Sequence, residues 1–274
     1  MPLISTTAGV VWIDECGSGE PLLLLHGNPG DPGDFDAILP ALAEHYRVIR
    51  VSWPGFGEGP APLPPESASA MQYAELLVHL VVTLDLAGVR VVGHSVGGYA
   101  TAWLALCQPE RMKAVVLVSP GGFASTGRWS RWFLRLLGKE WLVRVLGRAL
   151  VWAGLRVRTP FVLGMLRRAA TAFRQPVLVA VSAAVWRSCS DPAYDLRGMA
   201  AHIEVPTLVV SGRQNVMGAL EGGAGAAACI PGVHHLVLPC GHAAFAEVPD
   251  VFLRVVLPFL ENPPRRRGSP LGGQ

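Results

Sequence analysis

The chain has 274 residues, about half of them hydrophobic, which fits one α/β domain carrying an insertion and supplies a large core. No stretch of about twenty apolar residues escapes interruption by charge or proline, which argues against a transmembrane helix; the nearest approach, residues 141–157, is divided by Arg144, Arg148 and Arg156. A net charge of only +3, without a recognisable binding module, argues against nucleic acid as a partner.

The chain starts Met1-Pro2-Leu3-Ile4-Ser5, without the charged and apolar regions of a signal peptide. The first strands are expected over 10–14 and 21–26. Leu22 to Leu25 form a continuous apolar run, as in a strand buried on both faces of a parallel sheet. It ends in His26-Gly27-Asn28-Pro29-Gly30, a turn able to aim the backbone N–H of Asn28 at a developing oxyanion. The bland alternative is an ordinary βα loop. A helix over 34–44, a strand over 47–52 and a helix over 68–86 follow.

The β-branched run Val89 to Val92 predicts a strand over 89–94, and Tyr99 to Leu106 a helix over 97–107 with Pro109 beyond its end. Between them lies Gly93-His94-Ser95-Val96-Gly97-Gly98. A serine hydroxyl is a poor nucleophile unless it is held out of the packed structure and served by a base. The G-x-S-x-G turn meets the first need, because glycines let strand and helix close around a strained Ser95 backbone. The N–H of Val96 then faces the place where an oxyanion would develop. His94, inside the turn, is expected to point aside.

After a strand over 113–118 the alternation stops. Residues 121–196 read as several helices, a block expected to cap the C-terminal ends of the strands, where ligands bind in open α/β sheets. Its aromatics Phe123, Trp129, Trp132, Phe133, Trp141, Trp152 and Phe161 offer lining for a hydrophobic pocket, or packing within the cap and against the core. From 121 to 197 there are thirteen Lys or Arg against three Asp or Glu. Arg128, Arg131, Arg135 and Lys139 form one helical stripe. It reads as a solvated polar face, or as a dock for something acidic: a carrier protein bearing an acyl thioester, or an anionic membrane surface.

Alternation resumes at 205. A strand over 233–238 contains His234 and His235, expected to be structural or surface residues, and leads into Cys240-Gly241-His242. A histidine on a loop after a late strand is a natural general base, which singles out His242 from the eight histidines. Cys240 reads as a small packing residue. The five cysteines are odd in number and scattered, as expected of reduced thiols in a cytoplasmic protein. No close His/Cys/Asp cluster suggests a metal, and no cofactor is called for. The expected organisation is a core of residues 1–120 and 198–262, a helical cap of 121–197 and a disordered tail of 263–274.

Four segments together resemble an α/β-hydrolase-fold enzyme with a helical cap. They are His26-Gly27-Asn28-Pro29-Gly30, Gly93-His94-Ser95-Val96-Gly97-Gly98, Pro206-Thr207-Leu208-Val209-Val210-Ser211-Gly212, and Gly241-His242 followed by Glu247-Val248-Pro249. The resemblance spans residues 10 to 260. It implies a mostly parallel central sheet with helices on both faces and an inserted helical cap. Ser119-Pro120-Gly121-Gly122 is similar to a turn in C–C-bond hydrolases of the same superfamily.

One part of the family pattern is missing. The family reads Gly-x-x-Asp after the strand ending at Ser211, and its carboxylate orients the histidine; here the residues are Gly212-Arg213-Gln214-Asn215. An amide oxygen at Asn215 can accept the Nδ1 hydrogen of His242 but carries no charge to stabilise an imidazolium. Three explanations stand side by side: a Ser-His-Asn site of low or specialised activity, a carboxylate supplied by Glu221, Asp191 or Asp195, or an altered residue at 215. The leading expectation is a serine hydrolase acting on a hydrophobic ester or acyl thioester through an acyl-enzyme. Ser95 and His242 would be catalytic, Asn215 would orient the histidine, and Asn28 and Val96 would form the oxyanion hole. The alternatives are C–C bond hydrolysis, a non-hydrolytic cyclisation or elimination, and a binding protein without turnover.

Overall fold

The computed structural model describes residues 3–62, 64–125, 127–215 and 222–265. Eight strands form one sheet in the order β1-β2-β4-β3-β5-β6-β7-β8. They are β1 Leu3–Thr6, β2 Gly9–Cys16, β3 Pro21–Leu25, β4 Arg47–Ser52, β5 Val89–His94, β6 Met112–Val118, β7 Thr207–Gly212 and β8 His234–Leu238. β1 pairs antiparallel with β2, and β2 antiparallel with β4; every later pairing is parallel. β1 has only four half-exposed residues, too short to announce itself in the sequence.

The leucine run of β3 shows how the parallel part is held. Side chains alternate across a strand, so Leu22 and Leu24 enter a core with Phe35, Val92, Val116 and Phe252, while Leu23 and Leu25 enter another with Tyr73, Leu77, Tyr99 and Leu104. All four leucines are fully buried, each contributing about 1.5–3 kcal/mol relative to an exposed side chain.

The first connection differs from the expected helix over 34–44. It divides into a 3₁₀ turn, Pro32–Phe35, and a short helix α1, Leu39–Ala43. Asp31 starts the turn by accepting from Gly33 N–H at 2.8 Å. Pro40, lacking an N–H, cannot carry a helix through from Asp36. α2, Ala70–Thr83, begins where Ser69 accepts from Gln72 N–H at 3.0 Å. α3, Val96–Cys107, follows β5 directly.

Four helices are inserted between β6 and β7: α4 Arg128–Leu137, α5 Glu140–Gly154, α6 Pro160–Ala172 and α7 Pro176–Ser188. Val143, Ala169, Phe173, Val179 and Ala183 make a small core of their own. Gly147 lets the Phe173 ring press on α5, since a Cβ there would lie 2.8 Å from that ring. Val181 and Val185 of α7 instead join the main core beside Trp53 and Phe56, fastening the insertion to the sheet body. α8 Gly223–Cys229, α9 Ala244–Glu247 and α10 Pro249–Glu261 complete the fold. The end of the expected tail, from residue 266, lies outside the described residues.

Candidate active site

Ser95 sits between β5 and α3 with φ +56° and ψ −114°, a conformation that costs about 1–3 kcal/mol unless its surroundings enforce it. They do. Ser95 N–H donates to Val118 O at 3.0 Å, and Ser95 O accepts from Tyr99 N–H at 3.1 Å and Gly121 N–H at 2.9 Å. Both elbow glycines are required by close approach. A Cβ on Gly93 would lie 2.2 Å from Thr101 Oγ1, and one on Gly97 would lie 2.4 Å from Leu25 O. The backbone N–H groups of Val96 and Asn28 find no hydrogen-bond partner among the described residues, leaving two donors available at the ends of β5 and β3. The Asn28 side chain is used otherwise: its Nδ2 donates to Ser182 O of α7 at 3.1 Å.

His242 lies on the loop after β8, and the loop is fastened to the end of α5. Its N–H donates to Gly154 O at 2.9 Å. The buried carboxylate of Glu247 accepts four backbone N–H groups: Arg156 at 2.7 Å, Val157 at 2.8 Å and Gly241 at 2.9 Å on Oε2, and Ala243 at 3.1 Å on Oε1. Sequence reasoning used Glu247 only as part of a pattern. Its signal was an acid just before Val248-Pro249 in an otherwise apolar stretch.

Asn215 meets His242: its Nδ2 lies 3.1 Å from Nδ1 of the imidazole. The imidazole partner is therefore an amide. Of the alternative acids, Asp191 accepts from Ala193 N–H and Asp195 is paired with Arg197, while Glu221 lies outside the described residues. Burial alone pushes the His242 pKa down to about 4, so the ring is neutral at pH 7. With the amide NH₂ toward it, Nδ1 accepts and the ring proton resides on Nε2. Turned by 180°, the amide presents Oδ1, the proton moves to Nδ1, and Nε2 is free to accept.

His94 does not point aside. Its Nε2 lies 3.2 Å from His242 O, and the two rings are 4.6 Å apart. Burial, then the neighbouring His242, holds its pKa well below the ordinary value.

Two small cavities adjoin this group, and Ser95, His242 and Trp186 line both. One, of about 50 Å³, is the more polar of the two, with Ser119, Asp191 and Tyr194 in its wall. The other, of about 70 Å³, is apolar, with Leu150, Met165 and Phe173. The hydroxyl of Ser119 is buried and has no partner among the described residues. None of the seven aromatics expected as pocket lining serves here. Phe123 is buried in the main core, and the other six are exposed on the insertion. The rings that line the cavities are Trp186 of α7, Phe173 and Tyr194. His234 is exposed, and His235 meets the Ser211 hydroxyl at 3.0 Å. Cys240 is fully buried packing.

The chain has known relatives. The family model described as "alpha/beta hydrolase fold" matches residues 20–249. The chain is 27% identical to a pimeloyl-[acyl-carrier protein] methyl ester esterase of Nitrosospira multiformis, covering 91% of this chain and 97% of that one. It is 28% identical to a 2-hydroxy-6-oxo-6-phenylhexa-2,4-dienoate hydrolase of Burkholderia cepacia, covering 92% and 91%. The solved enol-lactonase from Burkholderia xenovorans superposes with a TM-score of 0.81 at 23% identity, over 95% of this chain and all of that one. With a mostly parallel eight-stranded sheet and a family match over most of its length, the chain belongs to the α/β hydrolase fold family and is an enzyme of hydrolase type.

Proposed function

We propose that the chain is a serine hydrolase of small esters or thioesters that works through an acyl-enzyme. Ser95 Oγ attacks the carbonyl carbon while His242 Nε2 takes its proton. The N–H groups of Val96 and Asn28 receive the oxyanion. The imidazolium returns the proton to the leaving alcohol or thiol, and water, activated by the same ring, releases the acid. Asn215 serves with Oδ1 toward Nδ1–H, holding the tautomer without adding a negative charge.

The observation that carries this reading is that Ser95 and His242 line the same two cavities beside two unpaired backbone donors. The cavities suit an ester with a short apolar arm toward Leu150, Met165 and Phe173 and a polar arm toward Ser119 and Tyr194. The esterase relative supports the bond type. The five unpaired cysteines support a reducing, cytoplasmic setting.

A second reading draws on the amide orientation. With the Asn215 NH₂ toward Nδ1, His242 enters the site as an Nε2–H donor, which suits a non-hydrolytic reaction without a covalent intermediate. Labelling with a fluorophosphonate distinguishes the two. Labelling that disappears in Ser95→Ala, with circular dichroism unchanged, supports the acyl-enzyme; an unlabelled, folded wild type rejects it.

A further inference from the structure

We propose that the outer face of α4 and α5 is a docking surface for an anionic phospholipid bilayer. This inference does not rest on the hydrolytic reading. A helix packed on a protein normally turns its apolar stripe inward and a polar face outward. α4 and α5 do bury an inner stripe, with Leu134, Leu137, Leu142, Val143 and Gly147. Their outer faces are not the solvated polar surface that should accompany it. Trp129 is 84% exposed, Trp132 58%, Trp141 61%, Val145 68% and Trp152 58%. Four of the chain's eight tryptophans therefore stand in solvent on two consecutive helices.

The positions follow the helical period. Trp129 and Trp132 are one turn apart on α4, their rings edge to face at 6.5 Å. Trp141, Val145 and Trp152 recur along one face of α5, with Arg144 and Arg148 between them. Residues 128–154 contain six Arg or Lys and a single acid, Glu140. Arg128, Arg135, Lys139, Arg144 and Arg148 form no ion pair among the described residues.

Indole rings settle at the level of lipid headgroups, with the ring against acyl chain and the N–H toward water, while arginine and lysine attract anionic headgroups. Cation and ring sharing one face, turn after turn, is the arrangement that such a surface selects. A second copy of the chain fits less well, because a two-fold contact through this face would oppose cation to cation. An acidic protein would satisfy the charges but gives no reason for aromatic rings spread from Trp129 to Trp152. The inner sides of the same helices roof the Ser95 site: Leu134 borders the polar cavity, and Gly147, Leu150 and Val151 border the apolar one. Docked this way, the roof of the site would lie against the lipid.

The test is flotation of the whole chain with vesicles of phosphatidylcholine alone and of phosphatidylcholine with about one-third phosphatidylglycerol, at low and physiological salt. The expected result is partition onto the phosphatidylglycerol vesicles, weakened by salt, with tryptophan fluorescence quenched by brominated lipid. The double variant Trp129→Ser, Trp141→Ser and the charge variant Arg128→Glu, Arg144→Glu should each partition about tenfold less. Both should keep the wild-type circular dichroism and thermal transition. Failure of the wild type to float with phosphatidylglycerol vesicles at low salt overturns the proposal, as does undiminished flotation of folded variants. Binding to an acyl carrier protein, or self-association in sedimentation lost in these variants, overturns it when vesicle binding is absent.

Discussion

The amide nitrogen of Asn215 lies 3.1 Å from Nδ1 of His242, so the side chain at that edge of the imidazole is neutral. A carboxylate there would do two further things: fix the Nδ1–H tautomer, which an amide fixes in only one of its two orientations, and stabilise the imidazolium that the proposed mechanism forms. In a serine protease, replacing that acid by its amide lowers turnover by about four orders of magnitude. Asn215→Asp is therefore expected to raise kcat for ester hydrolysis on the order of 100-fold or more. It should also raise the His242 pKa from about 4, since an adjacent negative charge favours the protonated ring. The acid limb of the kcat/KM profile should move up in pH accordingly. Steady-state rates with p-nitrophenyl esters from pH 4 to 9 measure both. A folded variant with unchanged rate and profile would mean that another group supports His242.

Acid should destabilise the protein from about pH 6.5 downward. Burial pushes the pKa of His26 and of His242 down to about 4 and holds that of His94 well below the ordinary value. Their unfolded value is about 6.5. Between pH 6.5 and 4 the unfolded chain thus binds up to three protons that the folded chain refuses. This contribution is intact above pH 6.5 and declines as the pH falls, by about 1.4 kcal/mol per pH unit for each histidine. Asp34 acts in the opposite direction: burial first, then Asp31, raises its pKa to about 7, so the folded chain holds a proton there that the unfolded chain releases. Three taken up less one released leaves a net uptake of two on unfolding. Urea denaturation at pH 7.5, 6.5, 5.5 and 4.5 should show a midpoint that drops continuously. A midpoint that is flat or rises toward acid would contradict this.

The parts of this molecule that are local were legible. Leu22 to Leu25, Val89 to Val92 and the glycines around Ser95 each declare a buried strand or a tight turn within a few residues, and the structure has them where periodicity and sterics put them. The parts that depend on distant partners were not. Nothing near Glu247 says that its carboxylate will collect N–H groups from residues 156 and 157, some ninety positions away. His94 appeared as a bystander because its contact is with a backbone carbonyl 148 residues on. The cap aromatics were misleading for a different reason: composition shows that rings are present, but only the helical phase shows that Trp129, Trp141 and Trp152 face outward while Trp186 faces the site.

Together with Ser95 and His242, Trp186 lines both cavities. Trp186→Ala should join them and lengthen the acyl chain the site accepts. The expected outcome is a KM for longer-chain p-nitrophenyl esters that falls relative to acetate, while kcat for acetate stays within a few-fold. The indole is only partly buried, so the stability loss should fall at or below the roughly 3 kcal/mol lower end for a core Trp→Ala change. A chain-length profile identical to wild type would show that the ring does not limit the pocket.

The Glu247 carboxylate ties the connection between α5 and α6 to the histidine loop. Oε2 takes the N–H groups of Arg156 and Val157 from the connection between α5 and α6 and that of Gly241 from the histidine loop, and Oε1 takes that of Ala243. Hydrogen bonds to an ionised acceptor contribute about 1.5–3 kcal/mol each, and a buried donor left without one costs about 1–3 kcal/mol. In Glu247→Gln the amide oxygen can keep the three donors of one side, while its NH₂ opposes the Ala243 N–H, so a loss of about 1–2 kcal/mol is expected. Glu247→Ala orphans all four and should cost about 3 kcal/mol or more. Beyond stability, the alanine variant should release His242 from its position beside Asn215. At a temperature where circular dichroism still shows it folded, its kcat should fall at least about tenfold. The glutamine variant should retain most of the activity and the wild-type pH profile. Equal activity in both folded variants would make Glu247 a structural residue with no hold on the imidazole.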